Sequence, residues 1–490
     1  MSTYVLYATG FWNDCRLTEC NVGRVIIDML PDEVLLEIFD FYMVGASEDE
    51  ELKDWRDAWQ TLVHVCRRWR SVVFGSPRRL DLQLVCTART PVSRLDVWPA
   101  LPLVIDGDTE NVDNIVALLE CSDRINQINL WGSNWEDILE AMEVPFPELT
   151  YLWLQHFDED TDEPVPPLSD SFLGGSAPRL QYLYLGGIPF PGLPKLLLSA
   201  THLTNLHLYD IPHSGYISPE AIIPCLSPST SLDYLHLEFE SPQSRPDREN
   251  RRPPPSTRAV LPALTRFGFK GDGEYLEDLM ARVDAPRLNS FETTFFNDID
   301  FDVPQFTQFI GRTLTLEAFD KAIVVLRDHH ACIKLYSKAS NDTRFNVGIV
   351  CGELDWQISF LEQVCTSSLP SLSALEDLYI SDNLYEQPAS EDNIDSALWL
   401  ELLRPFSTVK DLFLSKKMAL RVVPVLQELA GGRTTEVLPA LQNVFIEGLE
   451  PSGLVQEGVG KFVAARQVAS HPIAVSRWDR VPGRDWITYN

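Results

Sequence analysis

One six-residue pattern, apolar-x-x-apolar-x-apolar, returns ten times along the chain. It reads INQINL at Ile125, LTYLWL at Leu149, LQYLYL at Leu180, LTNLHL at Leu203 and LDYLHL at Leu232. It continues as LTRFGF at Leu264 and more weakly as LNSFET at Leu288, then as LEDLYI at Leu375, VKDLFL at Val409 and LQNVFI at Leu441. Neighbouring clear starts lie between 23 and 34 residues apart. The alternation inside each unit marks a strand, while NIVALLECS, LEDLMARV, QISFLEQVC and ALWLELLRPF carry helical spacing between strands. A strand–turn–helix unit of this length cannot bury its apolar face alone and has to stack on its neighbours. The central Leu152, Leu183, Leu206, Leu235, Leu378 and Leu412 should therefore enter a shared core. The positions flanking them should face the opposite way.

This pattern resembles a leucine-rich-repeat solenoid, and the resemblance implies parallel strands on an inner face over residues 120–450. An ordinary doubly wound α/β domain is the competing architecture. The repeats depart from the family's form, because Phe157, Ile188 and Ile211 stand where its Asn or Cys would follow the last apolar residue. No asparagine ladder is expected, and the turns should vary. Between residues 289 and 374 the template decays, although LEAFDKAIVVL, ACIKLYS and RFNVGIV are strand-like, so register is open there. Two loops interrupt the array. Residues 156–170 are acidic and Pro-rich; residues 241–258 hold five Arg and a net charge of +3. The second reads either as a solvated insertion or as an arm for an acidic partner. Residues 451–490, with a helix and a short strand, read as a terminal cap.

Upstream of the array lies a different signal. LPDEVLLEIFDF, from Leu30, places Pro31 and two acids in a first helical turn, where the missing N–H costs nothing and the dipole favours carboxylates. After the acidic ASEDEELKD, a second helix with one apolar side runs from Trp59 to Phe74. So small a helical hairpin shows more apolar surface than it can bury alone. LPDEVLLEIF followed by VCRRWRSVVFGSPRRLDL resembles an F-box, the element that docks on the Skp-type adaptor of Skp–cullin–F-box ubiquitin ligases. The likeness covers residues 28–80, with 1–27 as an N-terminal extension and 81–119 as a connecting segment. With irregular repeats behind it, the chain resembles large fungal F-box families. By motif position, the resemblance implies that Leu30, Pro31, Val34, Ile38, Phe39, Val65, Cys66 and Trp69 face the adaptor.

Charge and chemistry narrow the function. Asp and Glu number 71 against 40 Lys and Arg, a formal net charge of −31 that repels phosphate backbones and anionic lipid. The nine cysteines show no C-x-x-C spacing and no His cluster beside a pair, so neither a disulfide framework nor a zinc site is written. No apolar run approaches the ~18 residues of a membrane span, no secretory leader is legible, and a cytoplasmic or nuclear location is expected. Phosphate-binding, dinucleotide, nucleophile-elbow and zincin motifs are missing from the text. His207 and His236 hold equivalent template positions; without a third ligand they read as solvent-facing packing partners rather than a metal site.

The expected function is a non-catalytic substrate-recognition subunit of a Skp–cullin–F-box ligase, without cofactor or metal. Its partners would be the adaptor, a cullin through it, and a protein target. The alternative is a leucine-rich-repeat interaction scaffold acting without ubiquitin transfer. The target surface should be the aromatic strip opposite the core leucines, Tyr151, Trp153, Tyr182, Tyr184, His207, Tyr234 and His236, with Tyr379, Phe413 and Phe445 further along.

Overall fold

The computed structural model describes residues 30–47, 58–95, 100–157, 165–190, 193–242, 258–296, 303–313, 319–337, 340–367, 372–382, 396–450 and 452–478. The N-terminal extension, most of the acidic spacer, residues 158–164 of the first interrupting loop and residues 243–257 of the second lie outside these residues. The chain divides into two compact units. The smaller takes in the described residues up to Val85 together with Ser93–Leu103, and the larger Cys86–Val92 with everything described from Val104 onward. No described helix is long and apolar enough to cross a membrane.

The smaller unit packs three helices, Asp32–Ser47, Ala58–Val65 and Arg67–Gly75, around Leu35, Leu36, Phe39, Trp59, Leu62, Val63, Val72 and Val73. The first begins where Pro31 leaves its carbonyl to accept from Val34 and Leu35 N–H. The sequence implies one continuous second helix, but Cys66 takes extended backbone angles and splits it. Its Sγ then accepts from Trp69 N–H at 3.4 Å and caps the third helix. Arg68 pairs with Asp32 at 2.7 Å, and Arg79 with Glu37 at 2.6 Å and Asp40 at 3.0 Å. These half-exposed pairs bind the first helix to the third and to the turn after it.

The molecule is mixed α/β, with one mostly parallel sheet of 16 strands. In the larger unit the strands Leu103–Asp108, Ile125–Gly132, Tyr151–His156, Tyr182–Gly186, Asn205–Ile211, Tyr234–Phe239, Arg266–Gly271 and Ser290–Phe296 sit side by side in chain order. Asp377–Asp382, Asp411–Leu414, Asn443–Glu447 and Ala474–Trp478 do the same at the far end. Chain-order strands have no topological switch point, and same-handed crossovers put the intervening helices on one face. Neighbouring helices such as Leu193–Ser199, Pro219–Leu226, Gly273–Met280 and Pro304–Arg312 pack in succession. Register is uniform: Leu152, Leu183, Leu206, Leu235, Phe267, Phe291 and Phe345 align across successive strands, all buried. Leu378 and Leu412 are aligned and buried likewise.

Strand entry is as uniform as register. The carbonyl of Thr150 accepts the N–H groups of both Gln181 and Tyr182, Gln181 those of Thr204 and Asn205, and Thr204 those of Asp233 and Tyr234. The relay continues through Asp233 and Thr265, and resumes at Asp320, Glu376 and Lys410. A main-chain carbonyl thus fixes each of these strands at its start.

Two features depart from the sequence reading. Residues 81–119 are not a bare connector: Leu84–Cys86, Leu103–Asp108 and the helix Val112–Leu119 lie within them. Leu103–Ile105 is a short unbroken apolar run ended by Asp106, Gly107 and Asp108, without the alternation that marks the other strands. The parallel order also fails between 321 and 350. Lys321–Arg327, His330–Ser337 and Ser340–Val350 form an antiparallel meander, and the last of them lies against Ser290–Phe296. Only Asp328 and His329 separate the first two strands, too few for a parallel crossover, so the chain has to reverse.

At the C-terminal end the helix Leu454–Val468 carries Arg466, which is fully buried. Its guanidinium donates to the carbonyls of Thr434 at 2.8 Å, Leu438 at 3.3 Å, Pro439 at 3.4 Å and Leu441 at 3.1 Å. Leu438 sits at φ 48, the left-handed region, within the segment so held. Arg466→Met keeps the aliphatic bulk and strips four buried carbonyls of their donor; a loss of ~3 kcal/mol in urea unfolding is expected. Leu206→Ala, in the middle of the leucine column, should cost ~2–5 kcal/mol in the same measurement.

Candidate functional site

The sheet face opposite the leucine columns carries the aromatic strip. In register, Tyr151 lies beside Tyr182, Trp153 beside Tyr184, Tyr184 beside His207, and His207 beside His236. A parallel ladder holds neighbouring strands about 4.8 Å apart, so rings at one register position are forced into contact. Tyr151 stacks on Tyr182 at 4.4 Å, Trp153 meets Tyr184 edge-on at 5.2 Å, and Tyr182 reaches His207 at 5.1 Å. His207 meets Tyr234 at 4.5 Å. Tyr209, one turn of the pleat beyond the six-residue template, stacks on His236 at 4.1 Å and on Tyr184 at 5.2 Å. It belongs to the strip, and the template stopped short of it.

The two histidines are not solvent-facing. His207 is 7% exposed and His236 8%, because the tyrosine rings close over them. The tyrosines and Trp153 are half-buried. Burial, aided by His236 and Arg266, pushes the His207 imidazole down to about 4, so it is neutral at pH 7. Burial also raises the Tyr184 and Tyr209 hydroxyls, which stay protonated. Tyr184 donates to Gln155 Oε1, and the Gln155 side chain crosses Gly186, where a Cβ would lie 2.2 Å from that oxygen. His236 leans over Gly268 in the same way, with its Nδ1 2.1 Å from where a Cβ would be. Only glycine leaves room for either side chain.

Charged groups edge the strip on its later strands. Lys270 pairs with Glu238 at 2.6 Å, and His236 Nε2 lies 3.4 Å from the other Glu238 oxygen. Burial alone would raise the Glu238 carboxyl, but His236 and Lys270 outweigh it and hold it below its ordinary value. Arg266 lies over the Tyr234 ring at 4.6 Å and pairs with Asp233 at 3.3 Å. Asp210 is an exposed residue at φ 46, where the ladder between Asn205–Ile211 and Tyr234–Phe239 slips register.

Further along, Tyr379, Phe413 and Phe445 stack face to face at 4.1 and 4.5 Å with nearly parallel planes, and Trp478 stands edge-on to the first two. Lys321 caps the Tyr379 ring at 4.6 Å and the Tyr336 ring at 5.2 Å. No described group of three His, Cys, Asp or Glu side chains is arranged to hold a metal ion.

The smaller unit divides its sequence-derived candidates. Val34, Ile38 and Val65 are exposed, at 41%, 45% and 56%, and Pro31 is exposed beside them. Leu30, Cys66 and Trp69 are partly buried. Phe39 is wholly buried, with the Trp69 ring at 4.8 Å, so it supports the surface from within and cannot touch a partner. Phe41, at 82% exposure, and Tyr42 extend the stripe of Val34 and Ile38 at i+7 and i+8. They were outside the motif positions, though their helical spacing from Val34 was legible. Neither a family model nor a curated protein matches the chain.

The depressed His207 sets a pH dependence of stability. In the unfolded chain its imidazole takes a proton below about 6.5, while in the folded chain it resists down to about 4. The unfolded state therefore binds more protons in that window, and stability falls as pH drops through it. His207→Gln should flatten that fall by up to ~1.4 kcal/mol per pH unit, read from urea unfolding at pH 7, 6 and 5.

Proposed function

We propose that the chain is the substrate-recognition subunit of a Skp–cullin–F-box ubiquitin ligase, built from an F-box and an irregular leucine-rich-repeat solenoid. The observation that carries this reading is the unpartnered apolar stripe of Val34, Ile38, Phe41 and Tyr42 on one side of a three-helix unit, with Val65 also exposed on that unit. A unit this small gains nothing by leaving such residues in water unless another surface covers them. The repeated parallel strands and their aromatic face support the second half of the reading, a surface for a protein target. Transfer of ubiquitin would be catalysed by proximity, through other subunits, with no acid, base or nucleophile supplied by this chain.

The test is co-purification with a Skp-type adaptor. Trp69→Ala is a poor probe, since its ring packs on the buried Phe39 and its loss disturbs the helical core. Ile38→Asp with Phe41→Asp puts two charges on exposed positions and leaves the core intact. That variant should lose at least tenfold in adaptor affinity while keeping its unfolding midpoint. Capture of the adaptor at the wild-type level would overturn the assignment.

A further inference from the structure

The second aromatic row already has an occupant, and it comes from the chain itself. Trp478 ends the strand Ala474–Trp478, where it lies in register beside Glu447. Its indole meets Phe413 at 5.7 Å and Tyr379 at 6.0 Å, rings that belong to strands two and three places away. The indole is therefore directed back over the sheet, across Asn443–Glu447.

The strand that delivers this ring is held differently from the others. Ala474, Ser476 and Arg477 are exposed, and Val475 and Trp478 are half-buried. Every other described strand of the large sheet buries at least one side chain; the adjacent Asn443–Glu447 seals Val444 and Ile446 at 1%. Among the described strands, Ala474–Trp478 pairs with that neighbour alone. Main-chain bonds and the Trp478 ring hold it, and elements with so little buried apolar area open first. Opening need not disturb the helix before it, because Arg466 is locked to four carbonyls and Ile473 is buried.

Beneath the strand lies a complete seat. The carbonyl of Gln442 accepts Ala474 N–H at 2.8 Å, and Gly448 N–H donates to the Trp478 carbonyl at 3.2 Å. A vacated edge would offer that main-chain ladder together with the rings of Phe413 and Tyr379. Such a ladder accepts any extended segment, while the side-chain seat beside it selects for one residue type. Tryptophan fits, as the chain's own indole shows, and it is a residue that commonly dominates interface energies.

We infer that Ala474–Trp478 is a releasable strap, and that the groove it fills, along Asn443–Glu447 and over Phe413 and Tyr379, docks an extended, tryptophan-bearing segment of the protein target. This deepens the target-binding half of the function proposed above and rests on it. The strap then sets the groove's affinity, since a segment binds only as far as it displaces the chain's own strand.

Amide hydrogen exchange on the full chain tests the strap. Alternate N–H groups of a strand share an edge, so Ser476 and Trp478 point at Asn443–Glu447 as Ala474 does. Their amides should exchange about tenfold faster than those of Asn443 and Phe445, which face the strand before. Equal protection would overturn the inference. For the groove, Ser476→Pro with Trp478→Ala removes one ladder donor and the ring, and leaves every buried core side chain in place. The probe is a fluorescein-labelled peptide with the sequence of residues 473–478, followed by anisotropy against the full chain and this double variant. The variant should bind it about tenfold more tightly than wild type. Adding Phe413→Leu, which keeps an apolar side chain in the row, should cost about threefold, as should Ala in place of Trp in the peptide. No gain on release, or no dependence on either ring, would sink the proposal. So would a wild-type dimer that the double variant loses, since the groove would then serve a second copy. Adaptor capture on the same samples reports on the smaller unit, so a loss there counts against the F-box reading while peptide binding decides the groove.

Discussion

Outside the meander of residues 321–350, the large sheet follows from one constraint, the in-register parallel pairing of consecutive strands. Each strand is fixed at its entry by a carbonyl of the preceding repeat that accepts two N–H groups, from Thr150 through Thr265 and again from Asp320 through Lys410. Once that point is fixed, period-two alternation sends Leu183, Leu206 and Leu235 to one side and Tyr184, His207 and His236 to the other. The same spacing that packs leucine on leucine lays ring on ring. The aromatic face is therefore a by-product of the core's register, and a one-residue slip would exchange the two.

The sheet also shows what the entry relay lets the chain leave variable. Strand exits differ from repeat to repeat: Asp210 bulges at φ 46, Gly187 turns at φ 67, and Gly132 at φ 143 lies against Thr109. These exits share no single turn conformation. Freed from a common turn, the ends of the strands can differ in length and in the residues they carry. At the far end the buried Arg466 gathers four carbonyls from 434 to 441, where no further strand entry is there to order them.

Much of this was legible before any coordinates. The hexapeptide template placed the strands at Leu149, Leu180, Leu203, Leu232, Leu375, Val409 and Leu441, because a buried, period-two pattern leaves a strong mark in text. The helices around Leu118, Leu279, Phe360 and Leu400 were equally plain. What was not legible has physical reasons. Tyr209 lies beyond the six residues that the core requires, and no apolar rule reports on it. His207 and His236 looked exposed because alternation tells which face a residue takes, not what its neighbours on that face will cover. Cys66 broke a helix whose apolar spacing runs on unbroken from Trp59 to Phe74, since a cap is a backbone choice that the spacing does not record. The meander of residues 321–350 was hidden because strand signals carry no direction; the two-residue gap at Asp328 and His329 was the available clue.

That meander has a consequence for how the chain is made. Each earlier strand of the large sheet lies directly beside the sheet strand before it, so the sheet can grow as fast as it is synthesised. After Ser290–Phe296 this stops, since the strand that covers its open edge is Ser340–Val350, and two others must come out first. For roughly 50 residues of synthesis, some seconds at typical elongation rates, a phenylalanine-rich edge waits uncovered. The nascent first half is then an unfinished sheet with a template for wrong pairing, and the hairpin that closes it also decides whether the second half starts in register. A slow codon run or a chaperone acting at this stretch would govern yield more than one acting anywhere else in the array.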